Sequence, residues 1–257
     1  MHFEALIMKI ISITNQKGGV GKTTTAVNLA ACLANLKRRV LLIDLDPQGN
    51  ATTGVGVFKK EALPTVYQLL IGRATFEEVK ITTEFGFDLM PANRELSGAE
   101  VELVELKNRE VRLKNALKNI ESLYDFVIID CPPALNMLTL NGLVASNAVL
   151  IPMQCEYYAL EGLSDLIETL SKIKKLNAHL EVAGLLRTMF NAQGVLNQQV
   201  SDEIEKFFPK RMYKTVIPRN VRLAEAPSFG KPVIFYDKSS KGAKAYMALA
   251  KELLRKK

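Results

Sequence analysis

The chain has 257 residues but only three cysteines, Cys32, Cys131 and Cys155, and none of them stands in a CxxC pair. This scarcity excludes a disulfide framework or a zinc cluster as the organising device and makes a reducing, cytoplasmic setting the default. No apolar run reaches the roughly 18 residues that a membrane span needs. The stretch from Met1 to Met8 has neither the cationic start nor the long apolar core of a signal peptide. Met8 reads as an alternative start, which would make residues 1–7 a disposable, disordered extension. No low-complexity linker divides the chain, and no helix-turn-helix module precedes the first apolar run, so one domain over residues 1–257 is expected. Apolar residues at 48% and charged residues at 24% exclude a disordered chain.

Charge of one sign is unevenly spread. Residues 206–257 hold 14 Lys and Arg against three Asp and Glu, a net +11, whereas residues 1–205 hold 20 against 24, a net −4. A cationic end on a mildly acidic body suits a polyanionic partner, either nucleic acid or an anionic membrane.

Apolar runs of strand length recur at Ile10–Thr14, Val40–Ile43, Phe87–Met90, Phe126–Ile129, Ala148–Ile151 and Val182–Leu186, with shorter ones near Val216 and Val233. Continuous rather than alternating apolar strands imply a sheet covered on both faces. Helical spacing between them, as in Ala26–Leu36, predicts an α/β fold with a doubly wound, mostly parallel sheet flanked by helices. One long helical pattern spans Ser97–Ile120, and Ala243–Leu254 reads as a terminal helix.

The first strand runs into Asn15-Gln16-Lys17-Gly18-Gly19-Val20-Gly21-Lys22-Thr23-Thr24 and then a helix. Strand, glycine loop and helix form the setting of a phosphate-binding loop. Gly18, Gly19, Val20 and Gly21 turn backbone N–H groups toward phosphates, and the helix start adds its positive end. Lys22 is expected on the β- and γ-phosphates and Thr23 on Mg²⁺, with Thr24 beside them. Against the ordinary pattern G-x-x-x-x-G-K-S/T, Gln16 replaces the first glycine and Lys17 adds a cation. Lys17 cannot easily reach the phosphates of its own loop, because the backbone already wraps them; it can reach a phosphate presented by a second subunit.

Two acidic segments follow at strand ends, the edge where such sheets bind ligands. Leu42-Ile43-Asp44-Leu45-Asp46-Pro47 places two aspartates two residues apart, able to face the same side if the strand continues. Phe126-Val127-Ile128-Ile129-Asp130-Cys131-Pro132-Pro133 is an apolar strand ending in Asp, a Walker B pattern, with Asp130 expected to hold Mg²⁺.

The variant loop resembles the deviant Walker A loop of the ParA/MinD group of P-loop ATPases. Asp44–Asn50, Pro152–Tyr157, Arg187–Asn191 and Val216–Ser228 extend the likeness, over nearly the whole chain, to the chromosome-partitioning ATPases called ParA or Soj. The resemblance implies slow ATP hydrolysis with Mg²⁺, and a homodimer that sandwiches ATP and is crossed by Lys17. It makes Asp46 the residue that orients the attacking water and helps hold the metal. Asn191 and Pro218 match positions that flank adenine, and the acidic helix around Glu100–Glu110 lies where relatives make dimer contacts. Such dimers bind double-stranded DNA without sequence preference, which implies a nucleoid-associated protein released by a ParB-like centromere-binding partner. The DNA candidates are Lys210, Arg211, Arg219 and Arg222, with Arg187 behind them and Arg222 favoured by family position.

Two relatives of the group compete. MinD attaches to membrane through a C-terminal amphipathic helix. Here the apolar positions of that helix are mostly alanines, without Phe or Trp, so no membrane is expected. The iron protein of nitrogenase-like reductases needs two cysteines per subunit at a dimer axis, and none of the three cysteines has that spacing.

Overall fold

The computed structural model describes residues 8–256; the expected extension over residues 1–7 lies outside the described residues. Seven strands make one sheet: β1 (Lys9–Ile13), β2 (Val40–Asp44), β3 (Ile81–Thr82), β4 (Asp88–Met90), β5 (Phe126–Asp130), β6 (Ala148–Met153) and β7 (Glu181–Arg187). Their order is β3-β4-β2-β5-β1-β6-β7, and all pairs are parallel except β3 with β4. The doubly wound reading therefore holds, with a short antiparallel edge strand that the hydropathy pattern did not predict.

The apolar strands distribute their side chains by the two-residue period of a pleat. Ile11, Ile13, Leu42 and Ile128 enter one core, whereas Ile10, Leu41, Ile43, Val127 and Ile129 enter the core on the opposite face. Both faces are buried, which is why the runs look continuous in sequence.

The helices used below are α1 (Lys22–Asn35), α2 (Asn50–Gly54), α3 (Leu96–Glu105), α4 (Met137–Ala145), α5 (Ala159–Ile173), α6 (Val195–Phe207), α7 (Val221–Glu225) and α8 (Lys241–Arg255). Helix α8 starts on a Ser240 cap, whose hydroxyl accepts from the Ala243 amide. It packs along α1 and buries Ala243, Tyr246, Leu249, Ala250 and Leu253 in the first core. Its apolar face is thus spent on the domain. Among the described residues no helix is long and apolar enough to cross a membrane.

Three expectations are corrected. The pattern over Ser97–Ile120 is not one helix: α3 ends at Glu105, Asn108 takes a left-handed φ of 56°, and short turns cover Arg109–Val111 and Arg112–Ala116. The Asn141 side chain ties this break by accepting from Leu113 N and donating to the Arg109 carbonyl. Helix α3 itself buries Leu96, Ala99 and Leu103, so Val101 and Val104 of the apolar stripe face solvent. The run near Val233 is a helical turn, Val233–Tyr236, begun after Pro232. The run near Val216 forms no strand; its neighbourhood makes two isolated parallel bridges, Met212 with Leu185 of β7 and Pro218 with Phe190 just beyond β7.

Candidate nucleotide site

The glycine loop leaves the carboxyl end of central strand β1, where the chain's strand order reverses. Gly19 and Gly21 have φ of 74° and 85°, the left-handed region that side chains disfavour, and Gly21 forms the N-cap of α1. This conformation sets Lys22 as the first residue of a 14-residue helix. The Lys22 ammonium is nearly buried and donates to the Lys17 carbonyl at 3.0 Å. Burial lowers its pKa, opposed by the charges of Asp130, Asp46 and, more weakly, Cys131. Thr23 and Thr24 occupy the first turn, both half-buried.

Neighbouring strand ends brace the loop. The Thr188 hydroxyl, after β7, donates to the Val20 carbonyl at 2.8 Å. The Gln154 amide, after β6, donates to the Gly19 carbonyl at 3.1 Å. Asn15 donates to the Pro152 carbonyl and accepts from the Lys17 amide.

Asp44 and Asp130 end adjacent strands in register, and both are fully buried. They have different surroundings. Asp44 accepts from the Thr52 amide at 2.8 Å, the Thr52 hydroxyl at 2.7 Å and the Asp46 amide at 3.1 Å. Burial pushes its pKa up to about 6, against the pull of these hydrogen bonds. It is a positioning residue that pins the following loop and α2. Asp130 has two buried carboxylate oxygens with no hydrogen-bond partner among the described residues. Burial, with Asp44 beside it, drives its pKa well above the ordinary carboxylate value. An orphaned carboxylate next to the Thr23 turn is the donor set that a hard cation such as Mg²⁺ accepts. Among the described residues no three His, Cys, Asp or Glu side chains converge as a metal cage, so Mg²⁺ here would complete its oxygen shell with phosphate and water.

Strand β2 stops at Asp44, so Asp46 reaches the site from a turn rather than from a continued strand. Its carboxylate accepts from the Gln48 amide at 2.9 Å, and its carbonyl accepts from Gly49. Gly49 has φ 62°, and a Cβ there would stand 2.7 Å from the Ala92 carbonyl. That contact makes glycine obligatory in the turn carrying Asp46.

Lys17 points away from its own loop. Its ammonium pairs with the Glu156 carboxylate at 2.5 Å, and each side chain is 48% exposed. Beside it, a Cβ placed on Gly18 would meet nothing within 4 Å among the described residues.

Asn191 and Pro218 are brought together by the bridge that joins Phe190 to Pro218. Asn191 is exposed, and its side-chain oxygen accepts from Gln193 N at 3.1 Å.

The basic candidates are split. Arg219 and Arg222 are exposed at and before α7, and Leu223 of that helix packs at the start of α8, where a Cβ on Gly242 would meet it. Arg222 already pairs with Glu225 at 2.8 Å and Asp237 at 3.3 Å. Arg187 is half-buried and turned inward, donating to the Ser201 hydroxyl and the Tyr213 carbonyl. Lys210 and Arg211 lie at the amino-terminal end of β7, the other edge of the sheet, where Arg211 donates to the Val182 carbonyl.

Sequence reasoning did not assign roles to Glu156, Thr188, Gln154 or Thr52. Each acts through a contact with a distant or differently placed segment, and no local spacing marks them.

Residues 8–182 match the family model described as AAA domain. The chain is 56% identical to the sporulation initiation inhibitor protein Soj of Bacillus subtilis, covering 95% of this chain and 98% of that one. It is 50% identical to the chromosome partitioning protein ParA of Myxococcus xanthus, over 98% and 90%. Among solved structures, a Mycobacterium smegmatis protein titled cobyrinic acid a,c-diamide synthase, with bound ATP analogue and magnesium, superposes with a TM-score of 0.83 at 35% identity, covering 97% and 95%.

Proposed function

The chain belongs to the ParA/Soj family of chromosome-partitioning, deviant Walker A ATPases, and on that premise we propose that it works as an ATP-driven DNA-binding switch. The observation that carries this reading is the loop itself. A buried Lys22 heads α1 within the field of Asp130 and Asp46, while Lys17 stands outside the loop.

Lys22 and the loop amides bind the β- and γ-phosphates of ATP. Thr23 and Asp130, with Asp46, hold Mg²⁺, which neutralises phosphate charge. Asp46 orients the attacking water from its turn, and Asp44 keeps that turn in place. Lys17 exchanges Glu156 for the γ-phosphate bound by a second copy, closing a two-fold dimer around two nucleotides. Asn191 and Pro218 flank the adenine.

Dimerisation doubles a basic surface around Arg219 and Arg222, which then neutralises phosphates of double-stranded DNA without reading bases. Hydrolysis removes the charge that Lys17 holds, so ATP and ADP select between two states by differential contact. A ParB-like centromere-binding protein speeds that step, and the ATP dimer resides on the nucleoid.

The test is DNA binding at several salt concentrations with ATP, ADP or no nucleotide, run beside co-sedimentation with anionic liposomes. Salt-sensitive DNA binding with ATP alone supports the switch. Binding to liposomes in place of DNA overturns it in favour of a MinD-like role. Arg222→Glu is expected to weaken DNA binding and to flatten the salt slope by about one unit per lost phosphate contact, with nucleotide affinity unchanged.

A further inference from the structure

A second cationic site lies at the amino-terminal edge of the sheet, away from the glycine loop. The starts of β1, β6 and β7 and the end of α8 enclose a recess of about 670 Å³. Lys9, Lys210, Arg211 and Lys256 line it, together with one carboxylate, Glu181, and with His179. Among the described residues none of these five charged side chains is in an ion pair. Four cations gathered around a single lining carboxylate, with none of them in an ion pair, repel one another, which is unfavourable for the fold taken alone.

The recess is also built rather than merely bordered by mobile lysines. The Lys256 ammonium sits 3.9 Å from the centre of the Tyr213 ring and donates to the Ala183 carbonyl at 3.4 Å. Lys9 donates in turn to the Lys256 carbonyl at 3.4 Å. Arg211 is held by the Val182 carbonyl, which uses one of its five donors. Tyr213, fully buried, lines the same recess, and its hydroxyl has no hydrogen-bond partner among the described residues. Burial lowers the pKa of Lys256, opposed by Glu252 and reinforced by Arg211; a bound anion would offset that cost.

We propose that this recess is a binding site for a small anion carrying two or more phosphate groups, separate from the nucleotide loop. Its concave shape favours a small ligand over a duplex. Double-stranded DNA presents its phosphates on the outside of a stiff rod, and that rod does not enter a recess of this size. The anion supplies the counter-charges that the fold omits, and its occupancy ties the start of β7 to the end of α8.

Isothermal titration of inorganic pyrophosphate into full-length protein carrying Lys22→Ala, without Mg²⁺, tests the proposal with the nucleotide loop disabled. One pyrophosphate per chain is expected. Lys210→Ala, an exposed change that the fold tolerates, is expected to weaken binding about three- to tenfold. Adding Lys256→Gln is expected to weaken it at least tenfold in total, while ADP affinity on the Lys22 background stays unchanged. Absence of binding, or equal binding by the variants, overturns the site. So does displacement of pyrophosphate by a 20-base-pair duplex accompanied by loss of duplex binding in Lys210→Ala, since that result makes the cluster a DNA surface.

Discussion

The two edges of the sheet treat positive charge in opposite ways. At the carboxyl edge three cations have anionic counterparts: Lys22 faces Asp130 and Asp46, Lys17 holds Glu156, and Arg222 holds Glu225 and Asp237. At the amino edge Lys9, Lys210, Arg211 and Lys256 share one cavity without an ion pair among the described residues. Net charge is therefore a poor guide to availability. On the proposed reading, the paired edge exchanges partners when a phosphate arrives, whereas the unpaired edge receives one.

Substitutions at the paired edge are expected to produce the largest effects. Asp46→Ala is expected to cut turnover about 10²- to 10⁴-fold, the usual contribution of a positioned acid–base group. ATP binding survives, so steady-state hydrolysis and nucleotide affinity measured together isolate the water-orienting role; retained turnover would remove Asp46 from it.

Lys22→Ala comes next. Losing a desolvated charged contact costs about 2–5 kcal/mol, roughly 30- to 4,000-fold in Kd. Fluorescent-nucleotide titration reads this directly. An unchanged Kd would mean that the loop amides alone hold the phosphates.

Gly18→Val probes the space beside Lys17. Because a Cβ there meets nothing within 4 Å, the monomer is expected to keep its stability and its ATP affinity. Apposed loops would clash at a cost of about 1–3 kcal/mol, so light scattering with ATP is expected to report monomers for the variant and dimers for the parent. A dimer of undiminished affinity would refute the proposed face-to-face arrangement.

Glu252→Gln sharpens the contrast from the amino edge. Glu252 accepts from the Lys214 amide and from the amide and hydroxyl of Thr215. Burial pushes its pKa up, but these hydrogen bonds outweigh it and hold the group below the ordinary glutamate value. Its stabilisation is therefore complete above the unfolded pKa of about 4.3 and is lost as pH falls through the lower folded value. The variant is expected to lose about 1–2 kcal/mol at neutral pH. Denaturation curves are expected to converge with the parent once pH falls below the lowered folded value, and a gap independent of pH would contradict the linkage.

Much of the fold was legible because it is encoded locally. Six strand positions followed from apolar runs, and the glycine loop followed from residues 15–24 read against the strand before and the helix after. The failures share one cause. The helix over Ser97–Ile120 breaks at Asn108 because Asn141, from α4, supplies the hydrogen bonds that stabilise the bend. The run near Val216 stays irregular because its neighbourhood pairs with β7 and the residues after it only through two isolated bridges among the described residues.

From sequence alone came the phosphate loop, the two acidic strand ends and the asymmetry of charge, since each is a property of contiguous residues and their backbone preferences. Tertiary structure alone decided which aspartate is pinned by hydrogen bonds and which is left without a partner, because β2 and β5 become neighbours only in the sheet. It also decided that Lys17 rests on a carboxylate 139 residues away, and that the basic C-terminal region divides between two edges. Such pairings are long-range electrostatic and steric facts. They exist only once strand order has determined which chain ends meet.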